Sequence, residues 1–245
     1  EYSLMGQAKD AYAQQMKELD AITNTRQMQE ARLLMSVEAN YALLKKGMAI
    51  DTMSIEETVE ALKSLEKEYT AQMLQVEDAA KTEQNVTIYQ EYQEAQAVLR
   101  NAPAAFLAQI PAVENMTLRQ VSQEAGQMTA AYQKAESRYE TVWTEPRKDL
   151  GDRIQKAFSN IDAILEDQAM EPTEENRRAV RILAYNEMEL TEENIREVRK
   201  TDMAVQRMFR AMKPATVFEM IKEGHNPLDL TVKNLTDMAE NMSEE

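Results

Sequence analysis

Proton transfer near neutral pH needs a histidine, or a carboxylate whose pKa has been moved, and this chain offers few of either in a suitable setting. Its single histidine, His225, stands in Glu223-Gly224-His225-Asn226-Pro227. Gly followed by Asn-Pro marks a turn after a helix C-terminus, so His225 reads as a turn residue rather than the base of a Ser-His-Asp triad. One histidine cannot supply the paired Glu-x-x-His of a di-iron bundle or the His-Glu-x-x-His of a zinc protease. Three adjacent carboxylate pairs, Glu56-Glu57, Glu174-Glu175 and Glu192-Glu193, would suit glycoside hydrolysis if a cleft raised the pKa of one member. Each pair instead follows a Ser or Thr at first-turn spacing, where negative charge offsets the helix dipole by about 0.3–1 kcal/mol. The five glycines lie apart, so no phosphate-cradling loop is present, and calcium-loop spacing is absent too. The chain has no cysteine, hence no thiolate nucleophile, disulfide or zinc–thiolate site. No catalytic residue, metal ligand set or cofactor is expected, and the protein reads as a non-enzyme.

The elements that would position side chains are more legible. Five times the chain sets an apolar residue or proline before Ser or Thr, with a polar residue three places further on. The copies are Met53-Ser54-Ile55-Glu56-Glu57, Met116-Thr117-Leu118-Arg119-Gln120, Pro172-Thr173-Glu174-Glu175-Asn176, Leu190-Thr191-Glu192-Glu193-Asn194 and Leu230-Thr231-Val232-Lys233-Asn234. Each predicts a helix start in which the hydroxyl accepts a first-turn N–H, and Glu57 or Gln120 completes a capping box. Met116 with Val121, Leu190 with Ile195 and Leu230 with Leu235 have the spacing of hydrophobic staples. QAMEPTEEN (168–176) and NEMELTEEN (186–194) share six of nine positions, and Arg178, Val180 and Arg181 recur as Arg196, Val198 and Arg199. Two copies of an 18-residue unit predict helical hairpins with a recurrent corner, short of a solenoid.

Periodicity fills in the rest. Residues 3–46 read as helix, interrupted near Thr23-Asn24-Thr25, with Leu33, Leu34, Val37, Tyr41 and Leu44 on one face and Lys45-Lys46-Gly47 as terminator. From Ser54 the apolar pattern runs with no strong breaker past Lys81 to about Arg100. Pro103 and Pro111 bracket a short helix. Another helix spans Leu118 to about Trp143. Thr144-Glu145-Pro146 opens a further one, with Leu150, Ile154, Phe158, Ile161 and Leu165 on its apolar face. The fold class is therefore all-α with no β-sheet: a long-helix bundle region over 1–166 with coiled-coil-like antiparallel packing, then short hairpins over 167–245. The 17 methionines beside four Phe and one Trp must supply much of the packing.

A net charge of −15 argues against nucleic acid and against anionic lipid, and no apolar run is long enough for membrane insertion. The chain opens at Glu1 without a signal-peptide pattern, which reads as a trimmed fragment and a cytoplasmic location. Against this acidic average, residues 177–213 hold nine basic residues and six acidic ones. Ordinary solvated pairing is one reading; a surface for an acidic protein partner, or for this protein's own acidic half, is the other. The partner-binding candidates are Arg177, Arg178, Arg181, Arg196 and Arg199, with Phe209, Met212 and Phe218 as an apolar contact patch, a core role being the competing reading for those three.

The stretches EARLLMSVEANYALLKKGMAIDT, TEENRRAVRILAYNEMELTEENI and MFRAMKPATVFEMIKEGHNPLDL resemble an uncharacterised helical family of Gram-positive bacteria. That resemblance covers under a third of the chain. It implies a bacterial, non-enzymatic protein associated with flagellar or motility genes, and it assigns no site residues. The expected function is a helical interaction or scaffold protein with a protein partner, self-association into a homo-oligomer being open. The alternative is a sensory bundle with a Met-lined apolar pocket.

Overall fold

The computed structural model describes residues 2–44, 52–135, 139–143 and 158–244. The described residues form nine α-helices and three 3-10 turns and contain no strand beyond isolated bridges. The fold is all-α. Among these residues no helix is long and apolar enough to cross a membrane. The chain divides into two compact units, residues 1–87 and 88–245.

The first unit is built on a helical hairpin of α1 (Tyr2–Leu44) and α2 (Met53–Met73). At 43 residues α1 is about 64 Å long. It runs unbroken through Thr23-Asn24-Thr25, contrary to the expected interruption, because both threonine hydroxyls find partners that leave the helix intact. Thr25 bonds back to the Ala21 carbonyl at 2.8 Å, and Thr23 reaches Glu66 of α2 at 3.1 Å. Glu66 is buried and also takes the Arg26 guanidinium, while Arg26 holds Glu30 at 2.8 Å. Further along, Tyr69 donates to Glu18 at 2.9 Å. Paired polar groups at these positions fix the hairpin's register, since a slip would leave Glu66 buried without its partner.

The expected continuous helix from Ser54 to Arg100 is two helices. α2 stops at Met73 and α3 (Ala79–Asn101) starts six residues later. The stop is a capping event rather than a Gly or Pro: Asp78 Oδ1 accepts the Ala80 N–H at 2.9 Å, and the Thr82 hydroxyl takes the Val76 N–H at 3.0 Å. α3 begins in the first unit and continues into the second.

In the second unit Pro103 leads into a buried 3-10 turn, Ala104–Ala108, and a second turn, Val113–Asn115, precedes α4 (Leu118–Lys134). α4 ends nine residues before Trp143, where the sequence placed its end. Residues 140–143 are non-helical instead, a bridge at Thr141 followed by a turn at 142–143, because their backbone pairs with the chain around the end of α3. Ala104 N–H donates to the Glu140 carbonyl at 2.6 Å and Val142 N–H to the Ala102 carbonyl at 2.8 Å. Then come α5 (Ile161–Asp167), α6 (Glu174–Tyr185), α7 (Glu192–Ala211), α8 (Pro214–Lys222) and α9 (Val232–Glu244), with a 3-10 turn at Pro227–Asp229. Two expected features, the Lys45-Lys46-Gly47 terminator and the Thr144-Glu145-Pro146 start with Leu150 and Ile154, lie outside the described residues. So do the side chains of Leu34, Val37, Tyr41 and Leu44.

Four of the five helix-start phrases act as caps. Thr117, Thr173, Thr191 and Thr231 each accept the N–H three residues on at 3.2 Å, and Thr117 with Gln120 forms the full capping box. Ser54 does not cap, because α2 starts one residue before it with Thr52 at the cap position. Val121, Ile195 and Leu235, the inner staple positions, are fully buried. The two starts at Thr117 and Thr231 also meet: Leu118 N–H donates to the Leu230 carbonyl at 3.2 Å and Val232 N–H to the Met116 carbonyl at 2.8 Å. Each helix thus satisfies an orphan donor of the other.

The corners before Thr173 and Thr191 share their hydrogen bonds. Ala169 and Glu187 adopt the left-handed conformation, at φ 55° and 53°. Met170 N–H returns to the Leu165 carbonyl at 2.9 Å, and Met188 N–H to the Leu183 carbonyl at 3.0 Å. These are Schellman closures. Asn176 and Asn194 then donate through Nδ2 to the carbonyls of Glu171 and Glu189, both at 2.8 Å. The third such closure is glycine-based: Gly224, at φ 90°, lets His225 N–H reach the Met220 carbonyl at 3.0 Å.

Candidate functional site

Two concentrations of charge arise from this framework. The first is internal. The non-helical segment 140–143 carries Glu140 to α6, where the carboxylate is almost fully buried. Arg181 donates to both its oxygens, at 3.2 and 3.1 Å, and Tyr185 Oη donates at 2.8 Å. Arg178 lies 3.5 Å from the same carboxylate, binds Asp202 of α7 at 3.0 Å and donates to the Val142 carbonyl at 2.7 Å. Gln206 adds bonds to that carbonyl at 2.9 Å and to Asp202 at 3.2 Å. Burial works against the charge of Arg181, but hydrogen bonding to Glu140 and its charge outweigh it, and the guanidinium pKa lies above its ordinary value. Burial, then the neighbouring Glu140 charge, pushes the Tyr185 phenol well above the tyrosine range. Two guanidiniums, two carboxylates and a phenol saturate one another, so the cluster joins three chain segments and offers no free acid, base or nucleophile.

The second concentration is external. A groove of about 500 Å³ runs between α7 and the start of α9. Its α7 wall presents Arg196, Arg199, Lys200, Met203, Arg207 and Arg210 at steps that keep one helix face. Lys233 joins from α9, while Glu114, Glu197 and Asp237 supply the opposite charge. Arg196 is tied to Glu192 at 2.6 Å, Arg199 to the Asn176 side chain at 3.0 Å and Arg207 to Glu240 at 2.6 Å. The hydrogen bond from Arg207 holds the Glu240 carboxyl below its ordinary range.

The sequence-predicted candidates therefore separate. Arg178 and Arg181 belong to the internal cluster. Arg177 is on the surface, paired with Asp162 at 2.8 Å. Arg196 and Arg199 line the groove. Phe209, Met212 and Phe218 are buried in the second unit, so none presents an exposed apolar patch. Phe209 packs edge-on against Trp143 with ring centroids 5.1 Å apart, and Phe218 lies 4.6 Å from the Tyr89 ring. Sequence reasoning missed Glu140, whose position read as helix, and Lys233, which comes to α7 only through tertiary packing. His225 occupies an exposed turn, and the carboxylates of Glu174-Glu175 and Glu192-Glu193 stand in first helical turns. Among the described residues no group of three or more metal-binding side chains converges.

Among the described residues, capped helices, a saturated ionic core and an open cationic groove define the class: an all-helical protein. Residues 28–245 match DUF6240, a family of unknown function, and the chain belongs to that family. No curated protein and no solved structure matches it.

Proposed function

We propose that this protein is a non-enzymatic helical interaction or scaffold protein and that its second unit carries the recognition surface. The observation that supports the reading best is the cationic groove itself, a positive exception in a chain of net charge −15. Charge set against the molecular average orients an encounter and discriminates between partners. The internal arginines cannot serve this purpose, being spent on Glu140 and Asp202. Affinity capture with the intact chain, followed by reconstitution with the purified partner, tests the proposal. A stoichiometric complex is expected; substrate turnover by the isolated chain with no partner recovered contradicts it. The flagellar association implied by the family resemblance belongs to the same proposal, and unchanged swimming after deletion of the gene in a motile bacterium would remove it. A ligand-binding role finds its support in a depression of about 440 Å³ along α9, bordered by Leu230, Met238 and Met242 and equally by Asn234, Asp237 and Asn241. Thermal-shift measurements against apolar metabolites test that alternative.

A further inference from the structure

The groove's cations are not equivalent. Arg196, Arg199 and Arg207 have partners within the chain. Lys200, Arg210 and Lys233 have no ion pair or hydrogen-bonded side-chain partner among the described residues, and all three are exposed. Between Lys200 and Arg210 on the same face sits Met203, half exposed at 51%. The α7 wall from Arg196 to Arg210 covers about 21 Å, four turns of helix.

We propose that this groove docks an acidic amphipathic helix of a partner protein, its carboxylates meeting Lys200, Arg210 and Lys233 and an apolar side chain seated on Met203. The inference rests on the interaction reading above and gives the partner its chemistry. Charge complementarity selects an acidic occupant. An exposed thioether at mid-stripe, flanked by cations on both sides, asks for one apolar residue with acids a turn or two away, the pattern of a helix laid in a groove between helices. A free phosphate fits poorly, because Lys200 and Arg210 are about 15 Å apart along α7 and cannot grip one small anion together. Nucleic acid fits poorly as well. No aromatic side chain lines the groove for base stacking.

Fluorescence anisotropy with the intact chain tests the assignment. The probe is a labelled synthetic helix of about 15 residues, with glutamates at helical spacing around a central leucine. Its competitors are a scrambled peptide of equal composition, inorganic pyrophosphate and a single-stranded oligonucleotide. The designed helix is expected to bind more tightly than every competitor and to weaken as salt is added. Combined Lys200→Glu, Arg210→Glu and Lys233→Glu substitutions should reduce affinity at least tenfold, and Met203→Glu several-fold, with circular dichroism unchanged. Equal binding by both variants, or tighter binding of pyrophosphate or oligonucleotide, overturns the proposal. Wild-type dimerisation that the triple variant abolishes also overturns it, by making a second copy the occupant. If a partner captured by the intact chain binds the triple variant unchanged, the groove assignment fails while the interaction reading stands. Turnover without a partner defeats the interaction reading itself.

Discussion

α6 and α7 are both capped by Thr and begin with Glu-Glu-Asn, and they carry arginines at the same two offsets, yet they put those arginines to opposite uses. Arg178 and Arg181 of α6 turn inward onto Glu140, whereas Arg196 and Arg199 of α7, eighteen residues later, line an open groove. The local code is the same and so is its local result: identical caps, left-handed corners at Ala169 and Glu187, and matching asparagine bonds to the preceding loop. What differs is the neighbour. The non-helical segment around Glu140 covers the first pair of arginines, whereas Arg196 of the second pair is bonded to the exposed Glu192 and Arg199 to the Asn176 side chain. A repeated sequence therefore specifies a corner, while the fate of the charges beyond it is decided by tertiary packing.

The comparison is broken most severely by removing the buried anion. Glu140→Gln leaves Arg178 and Arg181 without their shared charge, and unpairing a buried ion typically costs about 3–5 kcal/mol. Trp143, the only tryptophan, packs on Phe209 in the same unit, so its fluorescence follows the loss, with a midpoint lowered by roughly 10 °C. The equivalent change in the hairpin, Glu66→Ala, is expected to cost less, about 1–3 kcal/mol. Among the described residues, Glu66 serves a single arginine, which keeps Glu30 at 2.8 Å, whereas Glu140 is shared by two arginines and the Tyr185 hydroxyl. Far-UV circular dichroism of the variant checks this.

How much of this was readable in the sequence divides along the same line. Helix starts at Thr117, Thr173, Thr191 and Thr231 depend on a hydroxyl and a backbone N–H three residues apart, so a local pattern suffices. The split between α2 and α3 was missed because Asp78 and Thr82 end one helix and start the next without any Gly or Pro. The end of α4 was misplaced because residues 140–143 exchange helix for backbone bonds to Ala102 and Ala104, which periodicity cannot register. Charge counting singled out Arg196 and Arg199 together with Arg177, Arg178 and Arg181, and it named no groove; only the packing of α9 beside α7 puts Arg196 and Arg199 on its wall. Arg178 and Arg181 looked the same in sequence, since the segment that buries them lies about forty residues away.

Smaller effects sharpen the contrast between local and tertiary control. Thr191→Ala removes a working cap and should cost about 1 kcal/mol in chemical denaturation, while Ser54→Ala, which removes none, should leave the midpoint unchanged. Smallest of all is the acid response of the surface pairs. Hydrogen bonds from Arg177 and Arg207 hold the carboxyls of Asp162 and Glu240 below their ordinary values. The stability these carboxyls add is complete above the ordinary carboxylate pKa of about 4 and drains away as pH falls through the depressed values. Melting curves of an Arg177→Gln/Arg207→Gln variant should therefore converge on those of the parent protein below that pH.

The most direct test pairs the two arginines that the repeated phrase makes equivalent. Trp143-detected thermal unfolding of Arg178→Ala should show a midpoint several degrees lower, because Asp202 and Glu140 each lose a buried partner. Arg196→Ala, whose side chain is mostly in solvent and bonded to Glu192, should change stability by less than about 0.5 kcal/mol and leave the midpoint in place. Equal shifts for the two variants, or a larger one for Arg196→Ala, would contradict the division of these arginines into core and surface.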